Sequence, residues 1–391
     1  MNVAIFTDTY PPEINGVATS SANLRATLLA HGHNVLVVAT NVFGKDMTFE
    51  DGVLRIPGIE MKGLYGYRLT NFYYTPALKY IADFAPDIIH VQTDLGVGTF
   101  GQLVALRLHV GCIYTFHTMI EDYAYYVTKG HFDRFARHSV RAYFRRRTLF
   151  YDELIAPSDK IKDYLRSIGI DMTVSILPTG IDFSRFDVSK EDKKVTAELR
   201  KKFGISPSDT VILSLGRIAQ EKSIDVLLRG YAAYLKKGED RPTKFVITGL
   251  GPAVDDLKEL SRDLGISDRV IFTGPCKPDE TQNYYRLGNI FVSASLTETQ
   301  GLTFMEAMAA RLLVLARYDD NLVGTIKDGE TGFFFFDEMD FEEKLRALMK
   351  IDLSERNRIE ENALETIDMY SLERFYHNVM EVYNRVRKKK W

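Results

Sequence analysis

Short runs of β-branched and apolar residues recur along the chain, with longer stretches of helical periodicity between them. In the first half they fall at residues 3–6, 35–39, 88–91, 113–116, 154–156 and 174–177. Each is strand-sized and almost continuously apolar, as in strands buried on both faces, and the alternation with helices is that of parallel βα units. After Pro178-Thr179-Gly180 a charge-dense stretch over 184–209 interrupts the rhythm. It resumes at 211–215, 245–247, 270–272, 290–292, 313–316 and 333–336. The pattern predicts an α/β protein of two doubly wound, Rossmann-like domains, over 1–180 and 181–370. In open parallel sheets ligands bind beyond the carboxyl ends of the strands, so a cleft between the two domains is the expected place for a large polar ligand.

Length agrees: 391 residues favour two domains, and 45% apolar with 26% charged residues excludes a disordered chain. Fifty Lys and Arg against fifty-three Asp and Glu leave a net charge of −3, without the overall positive field of a nucleic-acid binder. Cys112 and Cys276 are too few for a disulfide framework or a structural zinc site and fit a reducing compartment. No leader pattern precedes the run at 3–6, and no apolar run approaches the roughly 18–20 residues that cross a bilayer. The expectation is a cytoplasmic protein able to touch a membrane without spanning it.

Candidate chemistry concentrates in the second half. Gly216-Arg217-Ile218-Ala219-Gln220-Glu221-Lys222 leaves a strand end, and two cations five apart in such a turn can converge on a diphosphate. In the stretch 297–306, Gly301 precedes a helical pattern whose first free amides can face an anion or sugar hydroxyls. Glu298 and Glu306 would lie at different depths of one site and suit two hydroxyl-bearing rings. Taken singly, each has an ordinary alternative: solvated loop cations, a capping acid, a structural helix glutamate. Gly96-Val97-Gly98-Thr99-Phe100-Gly101 is a literal G-x-G-x-x-G, but it lies on an internal βα unit, and its following acids, Glu121 and Asp122, do not end a second strand. A nicotinamide site there is disfavoured.

Together, the Gly-Arg loop with its Lys and the pair of glutamates with seven residues between them resemble the family 4 retaining glycosyltransferases of GT-B fold, along nearly the whole chain. Residues 8–17, with Gly16, resemble the family's N-terminal glycine loop, and Thr115-Phe116-His117-Thr118 its active-site histidine strand. Pro178-Thr179-Gly180-Ile181-Asp182 resembles the interdomain linker, and the loops at Leu250 and Gly274 those that hold the nucleotide base. Arg311-Leu312-Leu313 departs from the family, which usually has Gly-x-Pro there.

The resemblance implies a GT-B architecture of two Rossmann-like domains facing across a cleft, the first binding acceptor and the second the nucleotide sugar, with a final helix over 371–391 crossing back to the first. It implies His117, Arg217, Lys222 and Glu298 as catalytic residues. Gly16, Arg217, Lys222, Leu250, Gly274, Glu298, Gln300, Gly301, Leu302 and Glu306 would bind the donor, Glu306 through the ribose hydroxyls. No cofactor and no obligatory metal are expected, the substrate being a UDP-sugar. In the family the departing phosphate takes the acceptor's proton, so no carboxylate nucleophile is needed. A catalytically silent nucleotide-sugar binder on the same fold is the alternative of another class, against which both intact pairs stand.

For the acceptor, residues 132–150 form a basic amphipathic pattern, with Arg134, Arg137, Arg141 and Arg145 on one face, Arg146 and Arg147 beside them, and Phe132, Phe135, Val140 and Phe144 on another. Such a helix can lie on an anionic lipid surface or pack as a domain helix with solvated charges. The aromatic segment around Tyr67 with Phe72, Tyr73 and Tyr74 suits an interface. The stretch from His117 through Asp122 to Tyr123, with the Tyr67 region, is similar to bacterial diacylglycerol glucosyltransferases. That similarity implies retaining transfer of glucose from UDP-glucose to diacylglycerol by an enzyme peripheral on the inner face of the cell membrane. The alternative keeps the fold and donor chemistry on another acceptor: a glycosylated lipid, a polyisoprenoid-linked sugar, a teichoic acid or a polysaccharide.

Overall fold

A computed structural model describes the chain except residues 14, 61–67, 118–132, 191, 239–240, 297–299 and 390–391, and the side chains of 133–140 and 389. The chain forms two compact units, Met1–Gly180 with Leu372–Trp391, and Ile181–Ser371.

The first unit is built on β1 (Asn2–Thr7), β2 (Asn34–Asn41), β3 (Thr48–Glu50), β4 (Val53–Glu60), β5 (Arg68–Thr70), β6 (Ile88–Val91), β7 (Gly111–Thr115), β8 (Glu153–Ala156) and β9 (Val174–Ile176). The strand order is β3-β4-β2-β1-β6-β7-β8-β9, with β5 on β4. The central strands are parallel and β1, β6, β7 and β8 are wholly buried apart from Asn2, which is why they read as unbroken apolar runs. The antiparallel edge of β3, β4 and β5 was not anticipated from the pattern: β3 is exposed throughout and β4 alternates around Pro57 and Gly58. Short, half-solvated edge strands carry too little apolar signal to stand out from loops.

The second unit carries β10 (Thr210–Leu215), β11 (Thr243–Thr248), β12 (Val270–Gly274), β13 (Ile290–Ser293), β14 (Leu313–Arg317) and β15 (Phe333–Phe335), in the parallel order β12-β11-β10-β13-β14-β15. The order reverses direction at β10, so the loops after β10 and β13 open at a topological switch point. Apolar clusters cover both faces, one with Tyr231, Phe245 and Leu315, the other with Phe291, Phe304 and Met308.

The glycines of the literal G-x-G-x-x-G are explained by packing. A Cβ on Gly98 would stand 1.8 Å from the Thr93 carbonyl oxygen, and one on Gly101 2.6 Å from the Phe6 ring. The amide of Val97, at the start of helix Gly96–Leu108, donates to Asp8 Oδ1 at 2.7 Å. A carboxylate of the protein thus occupies the helix N-terminus that a dinucleotide's pyrophosphate would need.

Candidate functional site

In the second unit three loops beyond the sheet's carboxyl edge are laced together by backbone alone. Gly249 N–H donates to the Gly274 carbonyl at 3.0 Å, Ile218 N–H to Leu250 O at 2.9 Å, and Ala253 N–H to Ile218 O at 3.2 Å. The approach is so close that a Cβ on Gly249 or Gly251 would fall 1.8 Å from Gly216 O and 1.9 Å from Ile218 O. The loops that carry Arg217, Leu250 and Gly274 are therefore one fixed surface, on which the Leu250 side chain is exposed and Gly274 has open space around its Cα.

Lys222 ends a 3₁₀ turn after β10, and its Nζ donates to Ser295 Oγ at 3.3 Å. Ser295 is buried beyond β13, so this bond joins the two loops of the switch point. Arg217 pairs with Glu221 through one Nη, and its own side chain is about half exposed at the edge of this surface. Sequence reasoning missed Ser295, which lies outside the motif, and the pairing role of Glu221, which lies inside it but whose i,i+4 contact with Arg217 depends on the turn's conformation.

Gly301 adopts φ +75° and caps helix Leu302–Ala309, where a Cβ would meet Leu322 at 2.6 Å. Gln300, just before Gly301, is buried, while Leu302 and Thr303 at the helix start are partly exposed. Glu306, in the same helix, accepts from the Tyr285 hydroxyl at 2.8 Å. Burial of its carboxyl raises its pKa to about 7, against the opposing effects of the Tyr285 hydrogen bond and the Arg185 charge. Glu298 lies outside the described residues, so its place relative to Glu306 is not part of this geometry.

In the first unit Gly16 opens helix Gly16–Ala30 and is exposed. Asn15 fixes that start, its Oδ1 accepting from Ala18 N–H at 2.9 Å and its Nδ2 donating to Thr9 Oγ1 at 2.8 Å. His117, just past β7, is half-buried, and its Nε2 lies 2.6 Å from Gln92 Oε1, a pairing that puts the proton on Nε2 and leaves Nδ1 as an acceptor. Burial lowers its pKa to about 4, so the ring is neutral at pH 7. Gln92, buried at the end of β6, is a further residue that sequence reasoning did not find.

Of the residues expected at the acceptor side, Tyr67 and Asp122 lie outside the described residues. Arg134, Arg137, Arg141 and Arg145 all fall on helix Asp133–Thr148. Arg145 is exposed and Arg141 half-buried; the side chains of Arg134 and Arg137 are not described. Arg147 is a correction to the basic face: it is buried, donating to the hydroxyls of Thr99, Tyr143 and Tyr151. Its Coulombic partner Asp94, whose carboxyl accepts from Tyr114, has a pKa raised to about 6 by burial. Phe72 and Tyr73 are exposed, Tyr73 meeting Phe100 edge-on at 5.8 Å. Among the described residues no helix is long and apolar enough to cross a membrane.

Residues 195–366 match the model of glycosyl transferases group 1, and residues 14–185 that of Glycosyltransferase Family 4. The chain is 35% identical over 386 residues to an alpha-monoglucosyldiacylglycerol synthase of Streptococcus pneumoniae, covering 98% of this chain and 85% of that one. It is 34% identical over 342 residues to the enzyme of the same name from Acholeplasma laidlawii, covering 86% and 85%. In fold it is similar to a glycosyltransferase from Rickettsia africae, with TM-score 0.73, 18% identity and 98% of both chains covered. It is similar also to Anabaena HepE solved with UDP-glucose, with TM-score 0.73, 15% identity and 98% and 100% covered.

Proposed function

This chain belongs to the family 4 glycosyltransferases of GT-B fold, and we propose that it transfers glucose from UDP-glucose to the hydroxyl of 1,2-diacylglycerol with retention, making an α-monoglucosyl lipid. The acceptor reading is carried by the likeness, along nearly the whole chain, to synthases named for that product. The donor reading is supported by the laced loops, by Lys222 on Ser295 and by the Tyr285-held Glu306. UDP-glucose bound to a neighbour of the same fold is consistent with it.

In this reading Arg217 and Lys222 face the donor diphosphate and offset the charge that grows on it as the bond from the sugar's anomeric carbon to phosphate oxygen breaks. The acceptor oxygen bonds to that carbon from the same face, and its proton passes to the departing phosphate. Glu298 and the amides near Gly301 hold the sugar hydroxyls, with Gln300 and Leu302 beside them. Glu306 accepts from the ribose, Leu250 and Gly274 flank the base, and Gly16 brings helix amides to the diphosphate. Neutral His117, fixed by Gln92, presents Nδ1 to the sugar. Positive charge comes from side chains, with no obligatory metal. The protein works peripherally on the inner face of the membrane, its basic helix against anionic lipid.

The test is a transfer assay in which liposomes of diacylglycerol, with and without anionic phospholipid, meet UDP-glucose, UDP-galactose or GDP-mannose, products being identified by mass. A monoglucosyl lipid is expected from UDP-glucose, more of it with anionic lipid. Lys222→Ala should lower turnover by about a hundredfold or more, as losing one charge-stabilising donor does. UDP released only onto soluble glycans would overturn the lipid acceptor, and no transfer with any donor would overturn the transferase reading.

A further inference from the structure

Tyr285 lies at the end of the short helix Thr281–Tyr285, fully buried, with Phe186 edge-on at 5.5 Å and Phe291 at 5.8 Å. Its hydroxyl stands 2.8 Å from Glu306 Oε2 and 3.3 Å from the carbonyl oxygen of Thr303. A phenol has one proton to donate, and here it has two acceptors. When Glu306 is ionised, the phenol proton points to Oε2. When Glu306 is neutral, the carboxylic acid donates to the phenol oxygen and the phenol proton turns to Thr303 O. Either way no polar atom of the pair loses its partner, so the carboxyl group keeps one orientation in both charge states.

We propose that Tyr285 is the positioning residue of Glu306: it occupies Oε2 and leaves Oε1 as the oxygen that accepts from the donor's ribose hydroxyls. The proposal rests on the reading of Glu306 as the ribose acid. Among the described residues, two other titratable or charged groups face that carboxyl. Arg185, donating to Pro278 O at 2.5 Å and Gln282 Oε1 at 3.1 Å, favours its ionised form. The Cys276 thiol is buried, its pKa pushed up to about 11, and stays neutral. Burial opposes ionisation more strongly than Tyr285 and Arg185 favour it. Donor affinity should therefore fall as pH drops through about 7, where the carboxylate is lost. Removing the phenol hydroxyl withdraws a hydrogen bond from the charged form, so the fall should begin at higher pH.

The experiment is calorimetric binding of UDP-glucose without lipid acceptor, between about pH 5.5 and 8.5, to the full chain, to Tyr285→Phe and to Glu306→Gln. Both phosphates of UDP-glucose are esterified, so the ligand adds no proton of its own in that range. Wild type should weaken towards acid pH. Tyr285→Phe should bind about tenfold more weakly at pH 7, the worth of one hydrogen bond to a charged group, and recover towards alkaline pH. Glu306→Gln should bind weakly at every pH. Phenylalanine keeps the ring packing, so the Tyr285→Phe melting temperature should stay near wild type, and recovery at high pH is not expected of a misfolded site. If Tyr285→Phe keeps the wild-type affinity and pH profile while Glu306→Gln is weak, the positioning role is overturned and the ribose reading stands. If Glu306→Gln binds like wild type, both fall.

Discussion

Gly251 shows how one missing methyl group sets the donor side. A Cβ there would stand 1.9 Å from the Ile218 carbonyl oxygen and 2.5 Å from its carbon, atoms of backbone that cannot swing aside like a side chain. Gly251→Ala must displace the loop that carries Arg217. We expect turnover to fall about a hundredfold, as ångström-scale misplacement costs, and stability to fall by about 1–3 kcal/mol. Gly238→Ala is the control: its φ is +85° with nothing within 4 Å, so it should lose only about 1 kcal/mol of left-handed strain and none of its turnover. Wild-type turnover in Gly251→Ala would refute the loop's rigidity; calorimetry and the transfer assay read both. That glycines matter near 216, 249, 251 and 274 was legible from the loops they punctuate. Arg311 was legible only as a departure from the family. Its φ is +58°, the conformation a glycine takes without strain, and its guanidinium reaches Glu361 at 2.7 Å and Glu360 at 3.8 Å. Lys222 on Ser295 and Tyr285 on Glu306 were not legible, because each pairs residues from different elements, a distance in sequence that no local pattern encodes.

At the scale of elements, strands and helices were read well where both faces are buried and poorly where one is wet. The parallel core strands of both units stand where the apolar runs fall, whereas β3 and β5, three residues each, have no run to betray them. Helix Asp133–Thr148 is the instructive mixture. Its period was plain, but period cannot tell which arginines face in, and Arg147 turns under Tyr143 and Tyr151 with only 7% exposure. Arg145 and Arg146 stay exposed beside exposed Tyr143. Replacing Arg134, Arg137, Arg141 and Arg145 together by alanine should remove about 1 kcal/mol of vesicle affinity per residue, hence on the order of a thousandfold on anionic vesicles. Neutral vesicles and UDP binding should respond little, and raised salt should mimic the variant. Vesicle co-sedimentation checks it: unchanged binding to anionic vesicles would leave the helix a packing element and remove the membrane surface from its role. Arg147 is left out of the set because its loss would unpick the buried hydroxyl cluster and confound the reading.

At the scale of the whole molecule the chain passes between its units twice, at Gly180–Ile181 and at Ser371–Leu372. The two passages are neighbours, Ile181 bridging Ser371 and its N–H donating to Tyr370 O at 2.9 Å. The final helix, Leu372–Lys389, therefore completes a core begun almost four hundred residues earlier, with Phe375, Val379, Val382, Tyr383 and Val386 packed with Val3, Ile5 and Leu28. The family resemblance implied a final helix over 371–391 returning to the first domain; the particular side chains it packs against lie at the other end of the chain, where no local pattern names them. Polar ties secure the helix at both ends: Glu373 and Tyr376 meet His31 and His33, Tyr383 OH stands 2.8 Å from His90 Nδ1, and Arg385 Nη2 donates to Glu153 Oε1 at 2.6 Å. The Arg385–Glu153 pair decides most, because the Glu153 side chain is wholly buried while Arg385 is half exposed. Removing the guanidinium leaves the Glu153 carboxylate in the interior with Ser175 Oγ at 2.6 Å. Breaking a fully buried pair costs about 3–5 kcal/mol, and partial exposure of the arginine lowers that to about 2–3. Arg385→Ala should thus lower the first unit's melting transition by about 5–10 °C, the equivalent of that loss in a unit of this size. Arg385→Ala combined with Glu153→Gln should recover part of it, because the stranded charge is gone. Calorimetry resolves the outcome: an Arg385→Ala transition within about 1 °C of wild type would mean that apolar packing alone holds the returning helix.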